Sequence, residues 1–186
     1  MPSQQELEAE LRRIRYNTQY RGVLLGTIQV LMTVAAASVL IAMLLMPILQ
    51  IRGTSMSPTL EDGQVVLAVQ GTGYRQGSLV AFYYGDKLLI KRCIAGPGQW
   101  VEIDENGNVY VDRILLDEPY VSEKALGDCD LEFPYQVPGE RWFLLGDHRS
   151  VSMDSRSSQI GCVAQEQIIG TVTLRVWPLT AIQYFK

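Results

Sequence analysis

Residues 22–51 read GVLLGTIQVLMTVAAASVLIAMLLMPILQI, and no charged residue occurs between Arg21 and Arg52. A helix needs roughly 20 apolar residues to cross a bilayer, and this stretch is longer. A cleaved secretory signal has an apolar region of only about 7–15 residues, and a buried helix of a soluble protein rarely reaches this length. The stretch therefore predicts an uncleaved transmembrane helix over 22–51.

The charges that flank this stretch predict its orientation. Four arginines precede it closely, whereas Arg52 alone follows it closely. Because the Arg-rich end of a membrane helix stays in the cytoplasm, we expect residues 1–21 to form a cytoplasmic arm and residues 52–186 to lie on the outer side. Within the arm, apolar residues at helical spacing between charges predict a short solvated or interfacial helix.

The composition argues against several classes of function. The chain has 186 residues with 16 Lys+Arg against 20 Asp+Glu, a formal net charge of -4, so it lacks the basic balance that is typical of nucleic-acid binding. One histidine and three scattered cysteines do not supply the roughly four closely spaced ligands of a common zinc site. The cysteines are also too few for a disulfide framework. Their odd number predicts unpaired thiols and leaves a Cys93–Cys162 bridge open.

The chain from residue 63 onward has the pattern of short β-strands. Seven runs are rich in Val, Ile, Leu and aromatic residues and are bounded by turn-forming residues. These runs cover 63–70, 78–84, 87–94, 99–103, 108–112, 141–146 and 170–177. Turns are predicted at Gly85-Asp86 and Asn106-Gly107. Residues 164–168 look briefly helical, and 113–140 form a turn-rich, acidic, variable excursion. The expected fold class is mainly β, an antiparallel sheet or barrel-like domain behind one N-terminal transmembrane helix.

Lys91 is a candidate for chemistry, because a lysine that burial keeps neutral can activate a nucleophile. It lies in the strand run 87–94 among Leu, Ile and Cys residues, whereas the other three lysines lie beside a turn, in the excursion or at the terminus. Removal from water can lower the pKa of an amine by several units from about 10.4. From periodicity alone, a lysine that points into solvent is the favoured alternative.

Two further segments are candidates for a site. In RGTSMSPTLEDG (52–63), Gly53 permits an unusual backbone, Pro58 stiffens the residues after it, and Ser55 could receive a substrate carbonyl beside backbone N–H groups. On composition alone, a turn-forming juxtamembrane linker is favoured there. The segment GDHRSVSMDSR (146–156) fits either a polar loop tied by Asp–Arg pairs or a loop that positions a base on the neighbouring strand.

The motifs GTSMSPTL, KRCIAGPGQWVEI and GDHRSVSMDSR, in this order after one membrane helix, closely resemble the boxes of bacterial type I signal peptidases. The stretch VYVDRILLDEPYV is also similar to that family. The resemblance implies a serine–lysine dyad protease with Ser55 as nucleophile and oxyanion donor through its backbone N–H, Lys91 as general base, and Ser152 as a hydroxyl that orients the lysine. The residues that the last box contributes to the support of the site are Asp147, Arg149 and the structural ion pair of Asp154 and Arg156.

Two positions depart from the family pattern. His148 stands where the family usually has Asn, and we interpret it as an exposed or supporting substitution because the lysine box is intact. Gly53 stands where some members have a serine whose hydroxyl helps to bind the oxyanion. The resemblance then implies that the Ser55 N–H carries more of the stabilisation.

The resemblance also implies substrates, partners and location. The substrates would be exported preproteins with small residues such as Ala at an Ala-x-Ala site, cut through an acyl-enzyme. We expect no metal or organic cofactor, no nucleic-acid partner, contact with the lipid bilayer and the secretion machinery, and a single-pass location in the bacterial cell membrane. The membrane helix argues against a soluble self-cleaving repressor, and intact Ser55 and Lys91 argue against an inactive scaffold. General and specialised substrate sets both stay open.

Overall fold

The computed structural model describes residues 4–71 and 73–185. Within them the chain forms one long helix, α1 (Gln4–Leu45), followed by short strands and two 3₁₀ turns. The strands are β1 (Ile48–Gln50), β2 (Val65–Val69), β3 (Leu79–Tyr84), β4 (Lys87–Ala95), β5 (Trp100–Ile103), β6 (Val109–Val111), β7 (Ile114–Leu115), β8 (Tyr135–Gln136), β9 (Arg141–Leu145), β10 (Val163–Ala164), β11 (Ile168–Trp177) and β12 (Gln183–Tyr184). The helix and the β-rich part form separate compact units.

Helix α1 contains a segment that is long and apolar enough to cross a membrane. This segment is Tyr20–Ala42, with a mean hydropathy of 2.1. Its hydroxyl side chains at 27, 33 and 38 each donate a hydrogen bond to the carbonyl four residues earlier, at 2.8 or 2.9 Å. These bonds satisfy polar groups that a hydrocarbon environment would leave without partners. From Gln4 onward the arm is continuous with this helix, and residues 1–3 of the predicted arm lie outside the described residues.

The predicted membrane helix over 22–51 is wrong at its far end. Helix α1 ends at Leu45, two residues before Pro47, because the proline ring disfavours helical conformation in the residue before it. The residues after Pro47 form β1, which pairs antiparallel with β2. Leu49 and Ile51 are buried in the β-domain core. The last apolar residues of the run therefore belong to a protein core, which apolarity alone does not distinguish from a membrane segment.

The β-rich part consists of two antiparallel sheets. The larger sheet has the order β1-β2-β11-β3-β4-β9-β10, with β12 added beside β11, and the smaller has the order β7-β6-β5-β8. Their alternating apolar side chains form three buried clusters. The mainly β, antiparallel fold class is confirmed. Each predicted run contains a strand, and the short helical stretch is the 3₁₀ turn Gln165–Gln167.

Three segments around the centre of the larger sheet position the candidate site. Strand β4 lies between β3 and β9. The turn after β1 and the loop that leaves β9 supply the other candidate residues. The excursion 113–140 contributes β7 and β8, whose two-residue length gave no strand pattern in the sequence.

Candidate active site

Ser55 and Lys91 lie side by side, although 36 positions separate them in the sequence. Lys91 lies in the middle of β4 opposite Val80 of β3, and Ser55 lies in the turn after β1. Nζ of Lys91 donates a hydrogen bond to Oγ of Ser55 at 2.7 Å. This distance is within the range over which a base takes a proton from a hydroxyl.

Burial changes the acid–base behaviour of Lys91. The residue is only 2% exposed, so the solvent-facing orientation that periodicity favoured is wrong. Removal from water lowers the pKa of the Lys91 amine from 10.5 to about 8. Asp154 and Asp147 oppose this shift by attracting the ammonium form, whereas the positive charge of Arg156 adds to it. Desolvation is the largest of these effects, so a substantial fraction of Lys91 is neutral near pH 8.

The turn that carries Ser55 is fixed at both ends. Gly53 has φ +84°, a conformation that side chains other than glycine rarely adopt. Its N–H donates to Oδ1 of Asp62 at 2.7 Å. Beyond the serine, Met56 and Leu60 are buried in the core, and the Leu60 N–H donates to the Met56 carbonyl at 2.9 Å. The sequence therefore holds Ser55 between a glycine turn and a hydrophobic anchor.

The backbone groups of Ser55 have different surroundings. Its carbonyl accepts a hydrogen bond from the His148 N–H at 3.1 Å. Its own N–H has no acceptor among residues 4–71 and 73–185, so that it is available to an incoming oxygen. The His148 side chain is half-buried, and its Nδ1 makes no hydrogen bond within the described part of the chain.

Three buried ion pairs connect β4, the loop that leaves β9 and the excursion 113–140. In each pair both side chains are at most 10% exposed. The pairs are Arg156–Asp154 at 2.8 Å, Arg92–Asp147 at 2.6 Å and Arg149–Glu118 at 2.5 Å. The first is the pair that the resemblance implied. Because each charge has a partner, the site avoids the high cost of an unpaired buried charge.

Sequence reasoning missed the partners of the other two pairs. Arg92 attracts attention in the sequence only as the neighbour of Lys91, and Glu118 lies in the excursion that was predicted to be variable. Glu118 is 31 positions from Arg149, and Arg92 is 55 positions from Asp147. Thr59 also donates a hydrogen bond to Oδ2 of Asp147. No local sequence pattern predicts contacts between residues so far apart in the chain, although Glu118 is part of the DEPY sequence at 117–120.

Ser152 lies close to the dyad but does not hydrogen-bond to the lysine. It is 3% exposed, and its Oγ has no hydrogen-bond partner in the part of the chain that the structure describes. Gly146 lies between the two serines, since a Cβ added there would lie 2.5 Å from Cβ of Ser152 and 2.6 Å from the carbonyl oxygen of Ser55. Only glycine fits this close approach.

A shallow cleft opens beside Ser55. One wall comes from the turn after β1 and includes Ile51 and Met56, and the other comes from Leu88, Leu89 and Ile90 of β4. These side chains are apolar, and Gln50 and Arg52 add polar groups to the lining. The cleft can therefore receive small apolar groups next to the Ser55 hydroxyl.

The three cysteines form no disulfide bond with one another. All three are free. Strand β9 lies between β4, which carries Cys93, and β10, which begins directly after Cys162. Strands two positions apart are about 9–10 Å from each other, beyond the roughly 7 Å limit for a disulfide. The bridge that the sequence left open is therefore absent. Among residues 4–71 and 73–185, no group of three or more His, Cys, Asp or Glu residues could hold a metal ion.

Comparisons with known proteins identify a family for this chain. Residues 24–177 match the family model described as signal peptidase, peptidase S26. The chain is 35% identical over 156 residues to signal peptidase IB of Staphylococcus aureus strain MRSA252, covering 72% of this chain and 79% of that protein. It is 31% identical over 148 residues to signal peptidase I U of Bacillus subtilis strain 168, covering 73% and 78%. A signal peptidase I crystal structure from Enterococcus faecalis V583 matches with a TM-score of 0.45 and 25% identity, covering 56% of this chain and all of that one.

A β domain behind an apolar N-terminal helix, with a serine hydroxyl beside a buried amine, has the features of a serine peptidase. The family match makes this class specific. The chain belongs to the signal peptidase S26 family. It is accordingly a serine peptidase for the removal of signal peptides, and its apolar helix fits a membrane anchor.

Proposed function

We propose that this chain is a membrane-bound endopeptidase that cuts signal peptides from exported preproteins with Ser55 as nucleophile and Lys91 as general base. The observation that carries this proposal is the 2.7 Å hydrogen bond between Lys91 Nζ and Ser55 Oγ. Burial lowers the pKa of that amine to about 8. A lysine with its ordinary pKa would be an ammonium at neutral pH and would have no lone pair to accept a proton.

The reaction proceeds in two halves. In the first, neutral Lys91 takes the hydroxyl proton of Ser55 while Oγ attacks the carbonyl carbon of the scissile bond. The tetrahedral intermediate collapses, the leaving amine takes the proton from the lysinium, and the mature protein departs. An ester then joins Oγ to the signal peptide. In the second half, Lys91 takes a proton from a water molecule as that water attacks the ester carbonyl. The lysinium then returns the proton to Oγ of Ser55 as the signal peptide leaves with a free carboxyl group.

The negative oxygen of each tetrahedral intermediate needs a hydrogen-bond donor. The Ser55 N–H is the donor that we propose, because it has no acceptor among the described residues and belongs to the attacking residue. Gly53 offers no hydroxyl to assist it. Loss of one such donor in other enzymes costs about 3–4 kcal/mol, so a single N–H must be held accurately. The buried anchor at Met56 and Leu60 supports that accuracy.

The cleft beside Ser55 favours substrates with small residues near the cut. Aliphatic side chains line part of the cleft and its volume is only about 40 Å³, so we infer that it accepts side chains the size of that of Ala in preference to larger ones. We therefore propose the Ala-x-Ala pattern, with small residues one and three positions before the scissile bond. General and specialised sets of preproteins both satisfy this requirement.

The location follows from the apolar helix and its flanking charges. Four arginines before the span favour a cytoplasmic N-terminus and an extracytoplasmic β domain. Tethering of the enzyme to the bilayer that also holds the signal peptide raises the effective substrate concentration. The same geometry favours contact with the secretion machinery that delivers preproteins. Protease added to intact protoplasts should digest the β domain. If the domain were protected, the opposite membrane orientation would be indicated.

The decisive experiment measures cleavage of a synthetic preprotein with an Ala-x-Ala site by the full-length protein in detergent. Ser55→Ala and Lys91→Ala should each abolish cleavage while circular dichroism shows a folded protein. Lys87→Ala is the matched control, because Lys87 is an exposed lysine of the same strand. Near-normal cleavage by Lys91→Ala would disprove the dyad.

A variant of His148 tests whether this residue, instead of Lys91, is the general base. The contact between His148 and Ser55 is made by the His148 backbone N–H, which any residue except proline provides. His148→Asn should therefore retain substantial activity in the same assay. Near-complete loss of cleavage would instead favour a serine–histidine mechanism.

A further inference from the structure

Glu118 reaches the site from the excursion 113–140. It is 5% exposed, and its carboxylate accepts hydrogen bonds from both terminal nitrogens of Arg149, at 3.1 and 2.5 Å. Such a bidentate pair fixes direction as well as distance. Glu118 therefore determines where the Arg149 side chain lies.

Tyr120 covers the other arginine of the network. The guanidinium carbon of Arg92 lies 3.7 Å from the centre of the Tyr120 ring. The Tyr120 hydroxyl donates to Oε1 of Glu118 at 3.2 Å. Burial raises the pKa of the Tyr120 hydroxyl, and the nearby Glu118 carboxylate adds to the shift, so that the hydroxyl stays protonated. Arg92 in turn donates two hydrogen bonds to Asp147, at 2.8 and 2.6 Å.

The rest of the excursion is also docked against the loop after β9. Arg156 donates to the carbonyls of Ala125 and Leu126, at 3.3 and 2.5 Å. A Cβ at Gly127 would lie only 2.5 Å from the Arg149 carbonyl. The excursion thus packs onto the loop at several points.

The same loop contacts Ser55 directly and reaches Lys91 through Arg92, the next residue of β4. Nε of Arg149 donates to the Gly146 carbonyl at 3.1 Å, which closes residues 146–149 into a compact turn. The His148 N–H inside that turn donates to the Ser55 carbonyl. On the other side, Arg92 comes directly after Lys91 in β4 and binds Asp147 of the turn. The two arginines therefore connect the excursion to the nucleophile and to the base.

We propose that Glu118 and Tyr120 are positioning residues of the peptidase reaction, which hold Arg149 and Arg92 and thereby keep turn 146–149 closed against Ser55 and Lys91. The inference rests on the proposed dyad. Neither residue touches the reacting atoms. Their contribution is to hold the two arginines and, through them, to keep the turn in place.

The experiment changes Tyr120 because this leaves the formal charge of the network unchanged. Tyr120→Ala uncovers Arg92 and should lower kcat for the synthetic preprotein about tenfold. It should also move the acid limb of the pH–rate profile upward by about half a pH unit or more. A turn that is no longer held against Ser55 lets water reach Lys91, which returns the pKa of the lysine toward its ordinary value. Tyr120→Phe keeps the ring and should stay within about twofold of wild type. Glu118→Gln should lower kcat, whereas Glu118→Asp should restore part of it.

Tyr135→Ala is the matched control for an effect on stability alone. Tyr135 is a partly buried tyrosine of the same excursion that packs against Phe143. Its loss should lower the melting temperature without moving the acid limb. If Tyr120→Ala unfolds, Tyr120→Leu retains most of the buried volume and should shift the limb in the same direction. An unmoved acid limb with wild-type kcat in the folded Tyr120 variant would overturn the proposal. Activity that persists in Lys91→Ala would instead overturn the dyad itself.

Discussion

A single methyl group at position 146 should disable the peptidase without unfolding it. In Gly146→Ala the new Cβ would overlap Oγ of Ser152 and lie 2.6 Å from the Ser55 carbonyl oxygen, whereas ordinary contact begins at 3.4 Å. Ser152 and the Ser55 backbone must therefore both retreat, the Ser55 carbonyl by about 0.8 Å, or turn 146–149 must move by a similar distance. A misplacement of about 1 Å at a reacting group can reduce the rate about 10²-fold, which corresponds to roughly 2.7 kcal/mol of activation free energy.

The assay compares kcat of Gly146→Ala with kcat of wild type on the synthetic preprotein, together with a thermal melt. Gly139→Ala is the matched control, because a Cβ at Gly139 meets nothing within 4 Å and its backbone, like that of Gly146, does not require glycine. We expect the control to match wild type. A folded Gly146→Ala protein with wild-type kcat would refute the reasoning that close packing at this glycine fixes the nucleophile.

Three further results are expected. Because burial lowers the pKa of Lys91 to about 8, the base is protonated and inactive at lower pH, so kcat/KM should rise through a midpoint near pH 8; a midpoint near 10.5 would contradict this. Asp154→Asn leaves the buried charge of Arg156 without its partner and should lower the free energy of unfolding by about 3–5 kcal/mol in a urea titration; an unchanged value would show that the pair is not structural. A thiol reagent followed by mass measurement should label the half-buried Cys129 first and all three cysteines after denaturation, whereas a missing label would indicate a bridge.

The strands were predictable where each carries its own signal. Alternating or continuous apolar residues between turn formers predicted strands such as β4 and β11 to within two residues of their observed ends. The missed strands β7, β8, β10 and β12 are each two residues long, which is too short for a period to appear. Strand β1 was missed for a different reason, since its apolar residues continue those of the helix. Pro47 was the one signal that separated them.

The candidate site was predictable in its members but not in its arrangement. Three motifs identified Ser55 and Lys91 by resemblance, while strand periodicity alone favoured a solvent-facing lysine. Periodicity gave the wrong environment for Lys91 because it predicts which face of a strand a residue occupies. It does not predict which other segments cover that face. The turn after β1 and the loop after β9 cover this one. Glu118 was missed because an ion pair between remote segments leaves no local pattern.

The buried ion pairs also constrain how such a sequence can diverge. A domain is stable by only about 5–15 kcal/mol, and breaking one buried pair costs about 3–5 kcal/mol. Any lineage that loses Glu118 alone, or Arg149 alone, gives up a large share of that margin in one step. Descendants that survive should have kept both or replaced both together. Among homologues these positions are therefore expected to co-vary as couples, even though 31 and 55 positions lie between their members.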